Sequence, residues 1–169
     1  MAEQPFSSRK NPRLLSYDYS QCGGYFVTIC TQDRRQILSK ICREDPCGRP
    51  KAVPSSLGQI AIEELQNIAQ KFNIQVDCYV IMPDHIHLLL RFDRDNGTGN
   101  PSPTLGNVIG WYKYQVTKQA NTQLNNLSGK LFQRSYYDHV IRNQQDYNEA
   151  WNYIENNPRK WVIQRHRDA

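Results

Sequence analysis

Residues 74–92 constrain this chain more than any other stretch. Ile74 to Met82 and Ile86 to Phe92 are runs rich in aliphatic and aromatic side chains, separated only by Pro83, Asp84 and His85. Runs of that length bounded by turn residues read as strands, and Pro followed by Asp suits a tight turn, so the segment predicts a β-hairpin. Along the second strand, alternate side chains project to opposite faces. Ile86, Leu88, Leu90 and Phe92 share one face; His85, His87 and Leu89 share the other. A strand apolar on both sides must be covered on both sides, which places this hairpin at the centre of a sheet with packed layers.

The remaining elements are spaced around it. Gly24 to Thr31 has strand composition, and Arg34 to Ile41 is expected to pair with it as a hairpin. Cys42 to Pro54 reads as a loop, after which Ser55 or Ser56 caps a helix with Leu57, Ala61, Leu65, Ile68 and Phe72 inward. Gly97, Gly99, Pro101 and Pro103 mark a connection, and Ser102 or Thr104 caps a second helix with Leu105, Val108, Ile109, Tyr112, Val116 and Ala120 on one stripe. Phe132 to Arg142 reads as a fourth strand. Gln144 to Asn157 reads as a last helix with Tyr147, Ala150, Trp151 and Ile154 inward, stopped by Pro158. The order strand, helix, strand, strand, helix, strand, helix is an α+β, ferredoxin-like (RRM-like) antiparallel sheet with helices on one face and a C-terminal helix added. Such a frame hosts many functions, so function has to be read from the side chains.

Length and charge set the limits. A chain of 169 residues, 38% hydrophobic, suits a single domain spanning 1–169, with 1–20 and 162–169 as flexible ends. Lys plus Arg exceed Asp plus Glu by 21 to 16, a net charge of +5 that favours polyanionic partners. A polar start and the lack of any run of about 18 apolar residues predict a cytoplasmic protein with no membrane partner. Five cysteines without close pairing are read as reduced packing residues.

His85 and His87, about 6 to 7 Å apart along one strand face, can hold one cation together, though a His-x-His pair is more often two partly buried histidines bonded to neighbours. Tyr153 is computed to lie about 120° from the stripe of Tyr147, Trp151 and Ile154, on its polar flank, with Asn157 one turn beyond. A phenol with a pKa near 10 is protonated at neutral pH and needs a divalent ion on the phosphate if it is to act as a nucleophile; Asn157 offers that ion an oxygen. His139 is read first as a structural histidine and second as a phosphate contact. Cations and rings alternate in Trp111-Tyr112-Lys113-Tyr114, Gln133-Arg134-Ser135-Tyr136-Tyr137 and Arg159-Lys160-Trp161. With Lys118 and Arg142, these supply the residue types that grip single-stranded nucleic acid, and equally those of a solvated surface beside a core.

Met82-Pro83-Asp84-His85-Ile86-His87-Leu88-Leu89, followed by Tyr153-Ile154-Glu155-Asn156-Asn157-Pro158, resembles the REP-associated tyrosine transposases, insertion-sequence-200-like members of the HUH endonuclease superfamily. The likeness includes Phe26-Val27-Thr28, Phe132-Gln133-Arg134 and Asp138 to Asn143, and spans Tyr25 to Trp161. It implies cleavage and rejoining of single-stranded DNA at palindromic repeat hairpins through a covalent 5′-phosphotyrosine. It also implies Tyr153 as nucleophile, His85 and His87 as ligands of Mg²⁺ or Mn²⁺, Asn157 as an assisting ligand, and a monomer or a homodimer. Asp84 departs from the family's frequent Asn, and the sequence ends at Ala169 without the longer tail of some members.

A non-catalytic RNA- or DNA-binding module on the same frame is the alternative, and it leaves the histidine pair unexplained. A histidine-triad enzyme would need a third alternating His where Leu89 stands, and two-histidine phosphoesterases a His-x-Thr or His-x-Ser motif. An iron site using Asp84 is disfavoured by the expectation that Asp84 points to the opposite face.

Overall fold

The computed structural model describes residues 23–42, 48–93, 103–124 and 129–167, with side chains to Gln164. In chain order the elements are β1 (Gly23–Cys30), a short 3-10 turn (Gln32–Arg34), β2 (Ser39–Cys42), β3 (Lys51–Pro54), α1 (Ser56–Phe72), β4 (Ile74–Ile81), β5 (His85–Phe92), α2 (Leu105–Gln123), β6 (Tyr137–Ile141) and α3 (Gln144–Arg167).

Four strands form an antiparallel sheet in the order β4-β5-β1-β6. The hairpin β4–β5 forms as expected, but its centre-of-sheet placement is corrected. The central pair is β5 with β1, and β4 is an edge. β5 inserts between β1 and β4, with α1 as the crossover, which is the split βαβ arrangement expected from the element order.

The two sheet faces are covered unequally. Tyr25, Val27 and Ile29 of β1 and Ile86, Leu88, Leu90 and Phe92 of β5 join the buried stripes of α1 and α2 in the main core. All six stripe residues of α2 are buried, and Tyr112 donates its hydroxyl to the Ala61 carbonyl at 2.9 Å, tying α2 to α1. The opposite face carries a small cluster of Phe26, Leu89, Ala150, Tyr153 and Ile154, where α3 lies on the sheet.

Local chemistry fixes the helix starts. Ser55 accepts from the Gly58 amide at 3.1 Å, and Thr104 accepts from the Asn107 amide at 3.2 Å. Gly58 is where the first turn of α1 meets the chain before β2: a Cβ there would lie 2.1 Å from the Leu38 carbonyl oxygen.

Four expectations are corrected. Arg34 to Ile41 does not pair with β1, because both edges of β1 are taken by β5 and β6; Ser39–Cys42 pairs instead with Lys51–Pro54, inside the segment expected to be loop. The fourth strand is shorter than Phe132 to Arg142. Phe132 makes only an isolated bridge to Thr31, and the carbonyls of Gln133, Arg134 and Ser135 all accept from the Lys113 ammonium, which draws that backbone out of the ladder. Pro158 does not stop α3, which continues to Arg167, so residues 162–167 of the expected flexible end are helical. An interior proline costs a helix about 3 kcal/mol; packing of the turn beyond it, with Pro158 buried, offsets this. The proposed end 1–20 and most of the Asp93 to Pro103 connection lie outside the described residues.

Candidate active site

The site forms at the Cys30 end of β1, where Thr28 faces His87 across the ladder and Cys30 faces His85. Thr28 Oγ1 lies 2.8 Å from His87 Nδ1. His85 Nδ1 lies 2.5 Å from Asp84 Oδ1. Each imidazole is thus held through Nδ1 by a neighbour. Among the described residues neither Nε2 has a hydrogen-bond partner, and that of His87 is fully buried. A buried N–H without an acceptor is rarer than a bare lone pair, which assigns the His87 proton to Nδ1 and leaves Nε2 as a lone-pair donor. Burial, then the nearby His85, Arg34 and Lys160, hold the His87 pKa well below 6.5, so the ring is neutral at physiological pH.

Aromatic rings enclose the pair. His85 and His87 have ring centroids 4.5 Å apart. Phe26 stacks on His87 at 5.2 Å, and Trp161 of α3 lies 6.0 Å from His85. Tyr153 stands edge-on to His87 at 5.2 Å and to Phe26 at 5.7 Å.

Tyr153 is therefore brought to the histidine pair, but the expected route is corrected. It is 6% exposed and lies on the inward line of α3 with Ala150, Ile154 and Asn157, not on a polar flank; Tyr147 and Trp151 are only half-buried. The helix is rotated so that two polar-capable side chains, Tyr153 and Asn157, face the sheet where the histidines leave it polar. Asn157, 5% exposed, lies beside the Tyr153 side chain. Burial pushes the Tyr153 phenol above its ordinary 10, against the opposing effects of Asn157 and Arg34. Lys160 stands over the Tyr153 ring, its ammonium 4.3 Å from the centroid.

Asp84 does not point away from the histidines as strand alternation predicted. It sits in the turn before β5, where alternation does not apply, and bridges His85 Nδ1 and Arg34 Nε, the latter at 3.3 Å from Oδ2. Among the described residues no three His, Cys, Asp or Glu side chains converge as a metal cluster. The donor set on offer is two neutral-capable imidazoles with free Nε2 atoms and the neighbouring Asn157 amide. An orphaned, fully buried Nε2 whose opposite nitrogen is pinned by a hydroxyl is what a metal-ligating histidine requires, so these residues fit a divalent cation.

The other expected contacts divide. Lys113 is bound by three backbone carbonyls on the far side of the sheet, and burial lowers its pKa to about 8. Lys118 is exposed on the same helix. Arg134 is exposed in the loop joined to the site's end of β1 by the hydrogen bond from Gln133 N to Cys30 O. Arg142 is exposed at the opposite end of the sheet, beside an open groove of about 430 Å³ with Arg91 and Tyr147. His139 pairs with Asp146 at 3.4 Å, at the start of α3. Arg159 and Lys160 are exposed on α3 beside Tyr153 and Asn157. Thr28 and Arg34 were not recognised as site residues; Thr28 gains meaning only once β1 is in register with β5, and Arg34 has no motif. No described helix is long and apolar enough to cross a membrane.

Comparison with known proteins agrees with the fold. An uncharacterized protein of Haemophilus influenzae is 28% identical over 169 residues, spanning 90% of this chain and 89% of that one. The structure of a REP-associated tyrosine transposase bound to a REP hairpin superposes with a TM-score of 0.57 at 18% identity, over 88% of this chain and 73% of the other. A crystal structure from Deinococcus radiodurans R1, classed as a candidate transposase, superposes with a TM-score of 0.51 at 18% identity, over 85% and 95%. At these identities the two superpositions establish the fold. The family model described as "Transposase IS200 like" matches residues 20–157, from before β1 through Asn157, and this chain belongs to the IS200-like transposase family.

Proposed function

We propose that this protein is a DNA strand transferase that cleaves and rejoins single-stranded DNA at palindromic repeat hairpins, with Tyr153 as its nucleophile. The observation that carries this reading is the buried phenol of Tyr153 against His87, whose Nε2 is unpartnered and whose ring is kept neutral. Family membership and the fold shared with a hairpin-bound transposase support the substrate class.

In this reading the Tyr153 oxygen attacks the scissile phosphorus, the bond from phosphorus to the 3′ oxygen breaks, and the 5′ phosphate remains on the tyrosine. The phenol gives up one proton and the departing 3′ hydroxyl takes one up, so the step is proton-neutral overall. Asn157 lies beside the phenol, while Asp84 and Thr28 hold the two imidazoles through Nδ1 and leave both Nε2 atoms open to a ligand. Mg²⁺ or Mn²⁺ held by His85 and His87, with Asn157 assisting, would supply Lewis acidity to the phosphate. Reversal with a new 3′ hydroxyl rejoins the strand.

The test is incubation of the protein with stem-loop DNA carrying single-stranded flanks and Mn²⁺, followed by denaturing electrophoresis. The downstream DNA fragment, linked to the protein through its 5′ phosphate, is expected from the wild type and not from Tyr153→Phe, with the upstream fragment released bearing a 3′ hydroxyl. An adduct persisting in Tyr153→Phe overturns the assignment, and hairpin binding with no cleavage under any divalent ion favours a non-catalytic binding module.

A further inference from the structure

The turn after β1 carries two consecutive non-glycine residues in the left-handed region, Asp33 at φ 55° and Arg34 at φ 53°. Such conformations cost about 1 to 3 kcal/mol each and persist where the surroundings hold them, often at functional positions. Here the strained turn delivers the Arg34 side chain to the site. Its Nε pairs with Asp84 Oδ2 at 3.3 Å, on the carboxylate whose other oxygen holds His85. Its Nη1 donates to Cys30 Sγ at 2.8 Å. Nη2 has no partner among the described residues, and the side chain is 50% exposed. The charge is close enough to act on both His87 and Tyr153. A surface ion pair alone contributes about 0 to 1 kcal/mol and does not account for two left-handed residues.

We infer that Arg34 is a catalytic residue, its open Nη2 binding a non-bridging oxygen of the scissile phosphate while Asp84 holds Nε and Cys30 holds Nη1. This rests on the proposed tyrosine chemistry. A planar fork held at Nε and Nη1 is preorganised to present Nη2 to charge that builds on the phosphate during attack, and an anion there completes the donors the turn leaves open. Nothing new is made or broken: the bonds exchanged are those of the Tyr153 step, and Arg34 keeps its proton throughout.

Two measurements test it, using the full chain and a pool of stem-loop DNAs with randomised single-stranded flanks, from which the tightest binder is taken. In the first, phenylglyoxal modification of the wild type, without divalent metal, is mapped by mass spectrometry. Arg34 is expected to be protected by the DNA with its flank and not by the bare hairpin; equal modification under both conditions overturns the proposal. In the second, single-turnover adduct formation by Arg34→Gln is expected to fall by about 10² to 10³. Its DNA dissociation constant should stay within about threefold, and Arg34→Lys should recover part of the rate. A rate within about threefold of the wild type, or an equal loss in both variants, overturns it. If the wild type forms no adduct, the tyrosine chemistry fails while the protection result still decides the place of Arg34. If Arg34→Gln does not fold, the protection result on the wild type decides the question.

Discussion

Thr28→Val separates the role of the buried hydroxyl from that of the strand around it. Thr28 Oγ1 is the partner of His87 Nδ1 at 2.8 Å, in a cross-strand pair at the centre of the sheet, and both residues are essentially unexposed. Valine keeps the shape and removes the oxygen, leaving the His87 N–H buried with no acceptor. Such a group costs about 1 to 3 kcal/mol. For a chain of this size each kcal/mol moves Tm by about 2 to 4 °C, so the melting temperature should fall by roughly 2 to 12 °C. Freed from its pin, the imidazole also loses its preferred tautomer, and loss of such a partner weakens metal binding by about 10- to 100-fold. Circular dichroism melts and Mn²⁺ titration by electron paramagnetic resonance read the two effects separately. Thr28→Ser is the control: it deletes a methyl group at a cost near 1 kcal/mol but keeps Mn²⁺ affinity. If the valine variant binds Mn²⁺ as the wild type does while the serine variant is weakened, the hydroxyl does not orient His87.

Other consequences of the fold are open to direct measurement. Gly58→Ala places a Cβ 2.1 Å from the Leu38 carbonyl oxygen, so urea unfolding should show a loss of about 1 to 3 kcal/mol or more; an unchanged midpoint refutes the close approach. Lys113→Met removes the donor shared by three carbonyls and should lower stability by about 2 kcal/mol while leaving the salt dependence of DNA binding unchanged; a shallower salt slope would restore Lys113 as a phosphate contact. Tyr147 donates to Asp77 at 3.0 Å, and burial with that bond raises its phenol above 10. A raised acid pKa stabilises the fold below the unfolded value and loses that effect as pH rises through the folded one. Tyr147→Phe should thus cost about 1 kcal/mol at pH 8, with the gap from wild type narrowing above about pH 10; a gap that widens there contradicts the assignment.

The sequence pattern located what repeats and missed what is decided by contact. The α2 stripe, the β4–β5 hairpin and the shared face of His85 and His87 follow from period 3.6, turn chemistry and period 2 alone. The β2–β3 ribbon did not, since its pairing is settled by β1 having both edges occupied. Tyr153 was singled out for a reason that failed: the inward line of α3 includes Asn157, and a buried amide hides a stripe from any reading that equates inward with apolar. Arg34 was invisible because its place depends on two left-handed backbone angles and on a carboxylate fifty residues away in sequence.

The unequal covering of the two sheet faces gives the molecule two levels of cooperativity. On one side α1 and α2 share an extensive core; on the other α3 is held by a small cluster of five buried residues, the Tyr147 tie to Asp77 and the proline-containing turn that brings Trp161 to His85. A helix so held is expected to open locally ahead of the rest, its amide hydrogens exchanging at a lower free energy than those of β5 or α2 when followed by hydrogen exchange. When it lifts, Tyr153, Asn157 and Lys160 depart together while Thr28, Asp84 and the two imidazoles stay fixed on the sheet. The half that would carry a DNA end is thus free to move relative to the half that would activate the phosphate, without disturbing the sheet's main core.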